Sequence, residues 1–139
     1  MNFFLDTSIC VDVLRIKGPQ KSLDLFESFS SDQNTGIISV ITVAELSAGA
    51  ALSSLKDAQK KTDELLAYVT IVELNESVAL AGGKIYADLS KTGKKIEFND
   101  CLIAATALSL GFDEIVTRNC DHFSRIDGCS AIVPEKLNF

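Results

Sequence analysis

Apolar residues fall along this chain in two alternating patterns: short unbroken runs, and longer stretches where they recur every third or fourth position. The first pattern belongs to strands buried on both faces, the second to helices with one buried face. Asn2–Leu5 is such a run, stopping at Asp6, and predicts a strand. Ile9, Val11, Val13 and Leu14 make Ser8–Arg15 a helix, with Ile16 just beyond and Gly18-Pro19 closing it. Ser22–Phe29 is amphipathic, with Leu23, Leu25, Phe26 and Phe29 at helical spacing.

Gly36–Val40 reads as a buried strand behind the polar stretch Asp32–Thr35. Thr42 opens a helix running through Ala44, Leu46, Ala48 and Ala50, and Leu52, Leu55, Leu65 and Leu66 predict one long charged helix ending near Tyr68. Val69–Leu74 is a further strand, and Asn75 caps a helix from Glu76 to about Leu89. Lys91–Ile96 is a basic, Gly-containing loop. Asp100–Leu110 is apolar all round, so it predicts a buried helix, ended by Gly111. Glu114–Thr117 and Ala131–Val133 complete the strands. Strands alternating with helices predict an α/β fold: three layers, helices covering both faces of a mostly parallel sheet, in a single domain over residues 1–139.

Composition adds limits. A chain of 139 residues, 47% hydrophobic and 23% charged, can bury one real core and is neither disordered nor fibrous. Thirteen Lys and Arg against nineteen Asp and Glu leave a net charge of −6, which argues against a broad basic surface for nucleic acid. A phosphodiester remains an admissible substrate if divalent cations stand between protein carboxylates and phosphate, or if a partner chain lends positive charge. No apolar run is long enough to span a bilayer, and Met1–Leu5 reaches Asp6 without the basic region of a secretion signal. Cysteines 10, 101, 120 and 129 form no metal-binding spacing, so free thiols in a reducing cytoplasm are expected.

The acidic residues carry the candidate chemistry. In open parallel sheets functional groups collect beyond the C-terminal strand ends, where Asp6 stands. Asp6 also reads as a helix cap, and Thr42-Val43-Ala44-Glu45 matches a capping box in which Glu45 returns a bond to the Thr42 amide. Asp100 opens the most hydrophobic helix, either as a first-turn carboxylate facing the helix dipole or as a rigidly held ligand. Thr117–Phe123 reads as a polar turn after a strand. Its lone His122 reads as a surface or packing residue, since oxygen donors suit Mg²⁺ better. Several acids on one edge of a sheet repel one another, and one or two hard divalent ions resolve that repulsion.

Four blocks, Phe4–Ser8, Ser39–Leu46, Asn99–Leu108 and Val116–Phe123, in this order resemble PIN-domain nucleases, and more narrowly the VapC-type toxins of toxin–antitoxin pairs. The resemblance implies a three-layer α/β/α fold, Mg²⁺ (or Mn²⁺) dependence, endonucleolytic cleavage of single-stranded RNA, a small antitoxin partner and a homodimer. It implies Asp6, Glu45 and Asp100 as the acidic core. The fourth acidic position falls to Asn119 or Asp121, and His122 occupies the place before Phe123 where many relatives carry Asp. A first ion at Asp6 and Asp100, helped by Glu45, and a second near Asp100 and Asp121 are expected. Thr7 and Thr117 are expected to orient ligands or phosphate, and Arg118, Lys94 and Lys95 are candidate contacts to the RNA backbone, with solvated surface charge as the alternative.

Rival readings need other residues. A DxD-type phosphohydrolase needs an acid where Ser8 stands, and a nucleotide-binding module needs a Gly-rich loop where Asp6-Thr7-Ser8-Ile9 stands. A catalytically inactive PIN-fold interaction domain and a PIN nuclease of RNA processing without an antitoxin remain alternatives.

Overall fold

A computed structural model describes residues 1–139. Five parallel strands form one sheet: β1 (Asn2–Leu5), β2 (Thr35–Ser39), β3 (Val69–Val72), β4 (Glu114–Val116) and β5 (Ser130–Ile132), in the order β3-β2-β1-β4-β5. The chain moves outward from β1 through β2 to β3, then crosses back to lay β4 on the other flank of β1. Strand order therefore reverses between β1 and β4, and a crevice opens beyond their C-terminal ends.

Alternate residues of β1 serve the two faces. Phe3 and Leu5 pack with Ile9 and Cys10 of α1 (Thr7–Leu14), Leu25, Phe26 and Phe29 of α2 (Gln20–Ser30), Leu46 of α3 (Val40–Leu52) and Leu65 of α4 (Ala58–Leu66). Phe4 points the other way, into a cluster with Leu89 of α5 (Glu76–Lys91), Cys101, Ile103, Ala104 and Ala107 of α6 (Phe98–Ser109), and Phe123 of the short α7 (Cys120–Phe123). A 3₁₀ turn at Pro134–Lys136 closes the chain. The α/β/α layering read from the sequence is the observed architecture.

Two glycines are set by the fold, one through packing and one through backbone conformation. A Cβ on Gly82 would lie 2.7 Å from Leu102 Cδ2 and 3.2 Å from its Cα, so this glycine lets α5 approach α6. Gly111 ends α6 at φ +85°, a left-handed conformation that glycine adopts without steric cost.

Several expected boundaries move by one or two residues, and two of the changes alter how a helix starts. The helix expected to open at Thr42 begins at Val40, capped by Ser39, whose hydroxyl accepts from the Ile41 amide at 3.1 Å. The long helix expected over Leu52–Leu66 is shorter, because its first residues belong to the end of α3 and the turn after it. α3 stops at Leu52, the Ser53 hydroxyl accepts from the Leu55 amide at 3.1 Å, and α4 restarts at Ala58. A serine hydroxyl that captures a nearby amide offers the backbone an alternative to the helical ladder. Leu52, 88% exposed, stands at the break rather than in an apolar stripe.

Candidate active site

The crevice beyond β1 and β4 is a cleft of about 360 Å³ lined by Asp6, Glu45, Asp100 and Asn119, with Arg15 and Arg118 at its side. Asp6 leaves β1 as the β ladder ends, its amide donating to the Val116 carbonyl at 2.9 Å. Its carboxylate is buried, and one oxygen takes every bond: Oδ2 accepts from the Ser8 hydroxyl at 2.7 Å, the Thr117 hydroxyl at 2.8 Å and the Ser8 amide at 3.4 Å. The cap read from the sequence is present, but its amide bond is the longest of the three. Oδ1 makes no hydrogen bond within the chain. Ser8 and Thr117 therefore orient Asp6 rather than saturate it.

The hydroxyls interlock β1 with β4. Thr117 Oγ1, spending its proton on Asp6, accepts from the Asn119 amide at 2.9 Å, and Ser8 Oγ accepts from the Arg118 amide at 3.0 Å. Thr117 is fully buried, so its position is fixed by packing as well as by these bonds.

Glu45 is not part of a capping box. The helix begins at Val40, so Thr42 lies inside its first turn, and the Glu45 carboxylate turns toward α1. Glu45 Oε1 accepts from the Thr7 hydroxyl at 2.8 Å, and Thr7 Oγ1 lies 2.9 Å from Thr42 Oγ1. Thr7 has one hydroxyl proton, which Glu45 takes, so Thr42 donates to Thr7 and the relay runs Thr42 to Thr7 to Glu45.

Asp100 stands in the first turn of α6, its side chain only 15% exposed, and no hydrogen-bond donor reaches it. Burial, and then the charges of Asp6, Glu45 and Glu97, push its pKa up to about 7. No three acidic, imidazole or thiol side chains close on a single point, as expected of like charges that hold apart. A largely shielded carboxylate with no donor, beside two others each with an oxygen left free, is a donor set of the kind that hard divalent cations take. In this respect the residues fit the expected ion.

The last block divides its residues. Asn119 lines the cleft, and its side chain makes no capping bond. Asp121 is not brought into the cleft: its carboxylate, 80% exposed, pairs with Arg125 Nη2 at 2.7 Å, one helical turn on. The segment read as a polar turn is the helix α7, and its buried Phe123 fixes which way each neighbour points. Arg118 lines the cleft, but its guanidinium is engaged within the chain. Its guanidinium donates to Asp12 at 2.7 Å, Glu135 at 2.6 Å and Ser22 at 3.0 Å, so it ties α1, α2 and the C-terminal turn to the end of β4. Lys94 and Lys95 do not line this cleft.

Asp12, Ser8 and Thr42 carry roles that the sequence reading passed over. Asp12 had a visible signal: a lone acid on an apolar helix, one turn after Ser8, requires a buried partner. Thr42 had none. Cys10 is fully buried, and burial followed by the nearby Asp6 charge pushes its thiol up to about 12, which leaves it a packing group.

A five-stranded parallel sheet with acids gathered where its strand order reverses is also the arrangement of a known class. The PIN domain family matches residues 3–128, and the chain belongs to that family. VapC proteins are among its relatives. Ribonuclease VapC2 of Haemophilus influenzae is 33% identical over 127 residues, 91% of this chain and 92% of that one. The tRNA(fMet)-specific endonuclease VapC of Shigella flexneri is 30% identical over 129 residues, 92% of this chain and 94% of its own. Among solved structures, VapBC2 from Rickettsia felis, bound to a DNA fragment from its promoter, superposes with a TM-score of 0.81 at 30% identity, covering 96% of this chain and 98% of that one.

Proposed function

We propose that this chain is a divalent-metal-dependent endoribonuclease acting on single-stranded RNA, and the toxin of a VapBC-type pair. The observation that carries the reading is Asp100, shielded, donor-free and raised to about 7 between Asp6 and Glu45. Asp6, Asp100 and Glu45 are the residues that would hold Mg²⁺ or Mn²⁺, with Asn119 beside them. Such an ion, when bound, supplies positive charge to the scissile phosphate and lowers the pKa of the attacking water.

The chain's own groups prepare that chemistry. Ser8 and Thr117 hold Asp6 by one oxygen and leave the other facing the cleft. The relay from Thr42 through Thr7 fixes Glu45 in the same way. Carboxylates fixed in advance would hold the ion in place without rearrangement, and the ion's positive charge, not theirs, would offset the charge developing on the phosphate. In-line attack of water on phosphorus would form one P–O bond and break the P–O3′ bond, with the proton lost by the water balanced by the one the leaving oxygen takes up, giving a 5′-phosphate and a 3′-hydroxyl.

The antitoxin reading draws support from the VapBC neighbours and from a groove of about 400 Å³ between α1, α2 and α4. Val13, Leu14, Phe26, Leu65 and Tyr68 line it, beside Arg15. Leu25 lies wholly in the core and does not line the groove, and Phe26 offers a partner segment only its outer edge. A homodimer and a cytoplasmic setting belong to the same reading.

Asp6→Asn, Glu45→Gln and Asp100→Asn keep size and hydrogen-bonding shape while removing the negative charge a hard cation needs. Folded variants with a large loss of RNA cleavage are the expected result. Wild-type cleavage by Asp6→Asn and Asp100→Asn in saturating Mg²⁺ would end the metal-nuclease reading and favour an inactive interaction domain.

A further inference from the structure

His122 is a surface residue by overall exposure, yet one of its ring nitrogens is not. Nδ1 is shielded from water and has no hydrogen-bond partner, the only buried side-chain polar atom in the chain left so. It faces Asp100 Oδ2 at 4.0 Å. That separation is too long for a hydrogen bond. Asp100 in turn receives no donor from anywhere in the chain. Two groups with lone pairs or charge to satisfy are thus held toward each other across a gap that neither closes.

The gap has the size of a coordination span. Nitrogen and oxygen donors sit about 2.0–2.2 Å from a first-row divalent ion, so two donors on one ion stand up to about 4.3 Å apart. The position is also defined by the fold. Buried Phe123 anchors α7, Asp121 faces outward to Arg125, and His122 is the side chain of that turn left facing Asp100.

We propose that His122 is a nitrogen donor to a divalent ion held at Asp100, replacing the carboxylate expected from Asp121, and that the site therefore favours transition-metal dications such as Mn²⁺ over Mg²⁺. The proposal rests on the metal-nuclease reading and deepens it. Imidazole is a good donor to first-row transition ions, whereas Mg²⁺ demands oxygen and keeps its waters. Replacing one carboxylate by a neutral ring also lowers the negative charge of the donor set, which weakens a purely electrostatic hold on Mg²⁺ more than a mixed one on Mn²⁺.

The test uses the full chain freed of metal with chelator, then titrated with MnCl₂ or MgCl₂ alone. Pulsed electron paramagnetic resonance of the Mn²⁺-loaded wild type reads the ligand directly and needs no variant: coupling to a ring nitrogen is expected. Calorimetry should show Mn²⁺ bound more tightly than Mg²⁺. His122→Ala should lose Mn²⁺ affinity by roughly 10–100-fold. His122→Asp should narrow the Mn²⁺ to Mg²⁺ preference by about tenfold or more. Mn²⁺ bound without nitrogen coupling, or with equal affinity in wild type and His122→Ala, overturns the proposal and leaves the metal-nuclease reading standing. Failure of either ion to bind the wild type overturns both.

Discussion

Asp100→Asn tests the electrostatics of the cleft apart from catalysis, because it predicts that removing a site residue stabilises the protein. The Asp100 carboxyl is displaced from 3.8 to about 7, first by burial and then by Asp6, Glu45 and Glu97. Each unit of displacement corresponds to about 1.4 kcal/mol, so at full weight the charged form costs the metal-free fold about 4 kcal/mol. The cleft is open to water, and screening reduces this to about 2 kcal/mol. The sign follows from the direction of the shift. The folded protein holds this proton more tightly than the unfolded chain, so the penalty is absent below pH 4, grows between about pH 4 and 7, and is fully present above 7. Asparagine carries no charge at any of these values. In chelator at pH 8 the variant should therefore melt about 6–10 °C above wild type, and the two should converge near pH 4. Mg²⁺ or Mn²⁺ should raise the wild-type melting temperature and close the gap from below, since an ion that binds only the folded state stabilises it. Calorimetric or circular-dichroism melts over this pH range decide the matter. An Asp100→Asn protein melting at or below wild type at pH 8, or showing the same gap at both ends, would refute the account of Asp100.

Three further outcomes follow from the packing around the cleft. Thr117→Val keeps the shape but removes a donor to Asp6 and strands the Asn119 amide, so it should cost about 1–3 kcal/mol in urea unfolding and lower cleavage. Arg118→Met leaves Asp12, 2% exposed, with an unpaired charge, and should destabilise by about 3 kcal/mol or more, while the double variant with Asp12→Ala recovers part of the loss. Weakened RNA binding at unchanged stability would instead make Arg118 a phosphate contact. Gly82→Ala should cost about 1–3 kcal/mol by thermal melting, through its clash with Leu102, whereas Gly83→Ala, with open space around it on the same helix, should gain up to about 1 kcal/mol.

The order of elements, the parallel sheet and the two-faced burial of β1 were legible in the sequence because each rests on local periodicity. Phe3, Phe4 and Leu5 must alternate between faces, and an apolar stretch as unbroken as Cys101–Ala105 must lie inside. So was the gathering of Asp6, Glu45 and Asp100, because Asp6 and the helix carrying Glu45 follow strands whose ends share one edge, and Asp100 stands at the start of a core helix. Which side chain does what inside that gathering was not. Successive helical residues turn by about 100°, so a boundary moved by two or three positions redirects every side chain after it. That is why Glu45 reaches Thr7 instead of closing a capping box, and why α7 presents His122 to Asp100 while Asp121 turns to solvent and Arg125. Arg118 shows the same limit. Its partners Asp12, Ser22 and Glu135 come from three distant segments, and only the folded packing that brings them together decides that its charge is spent within the protein.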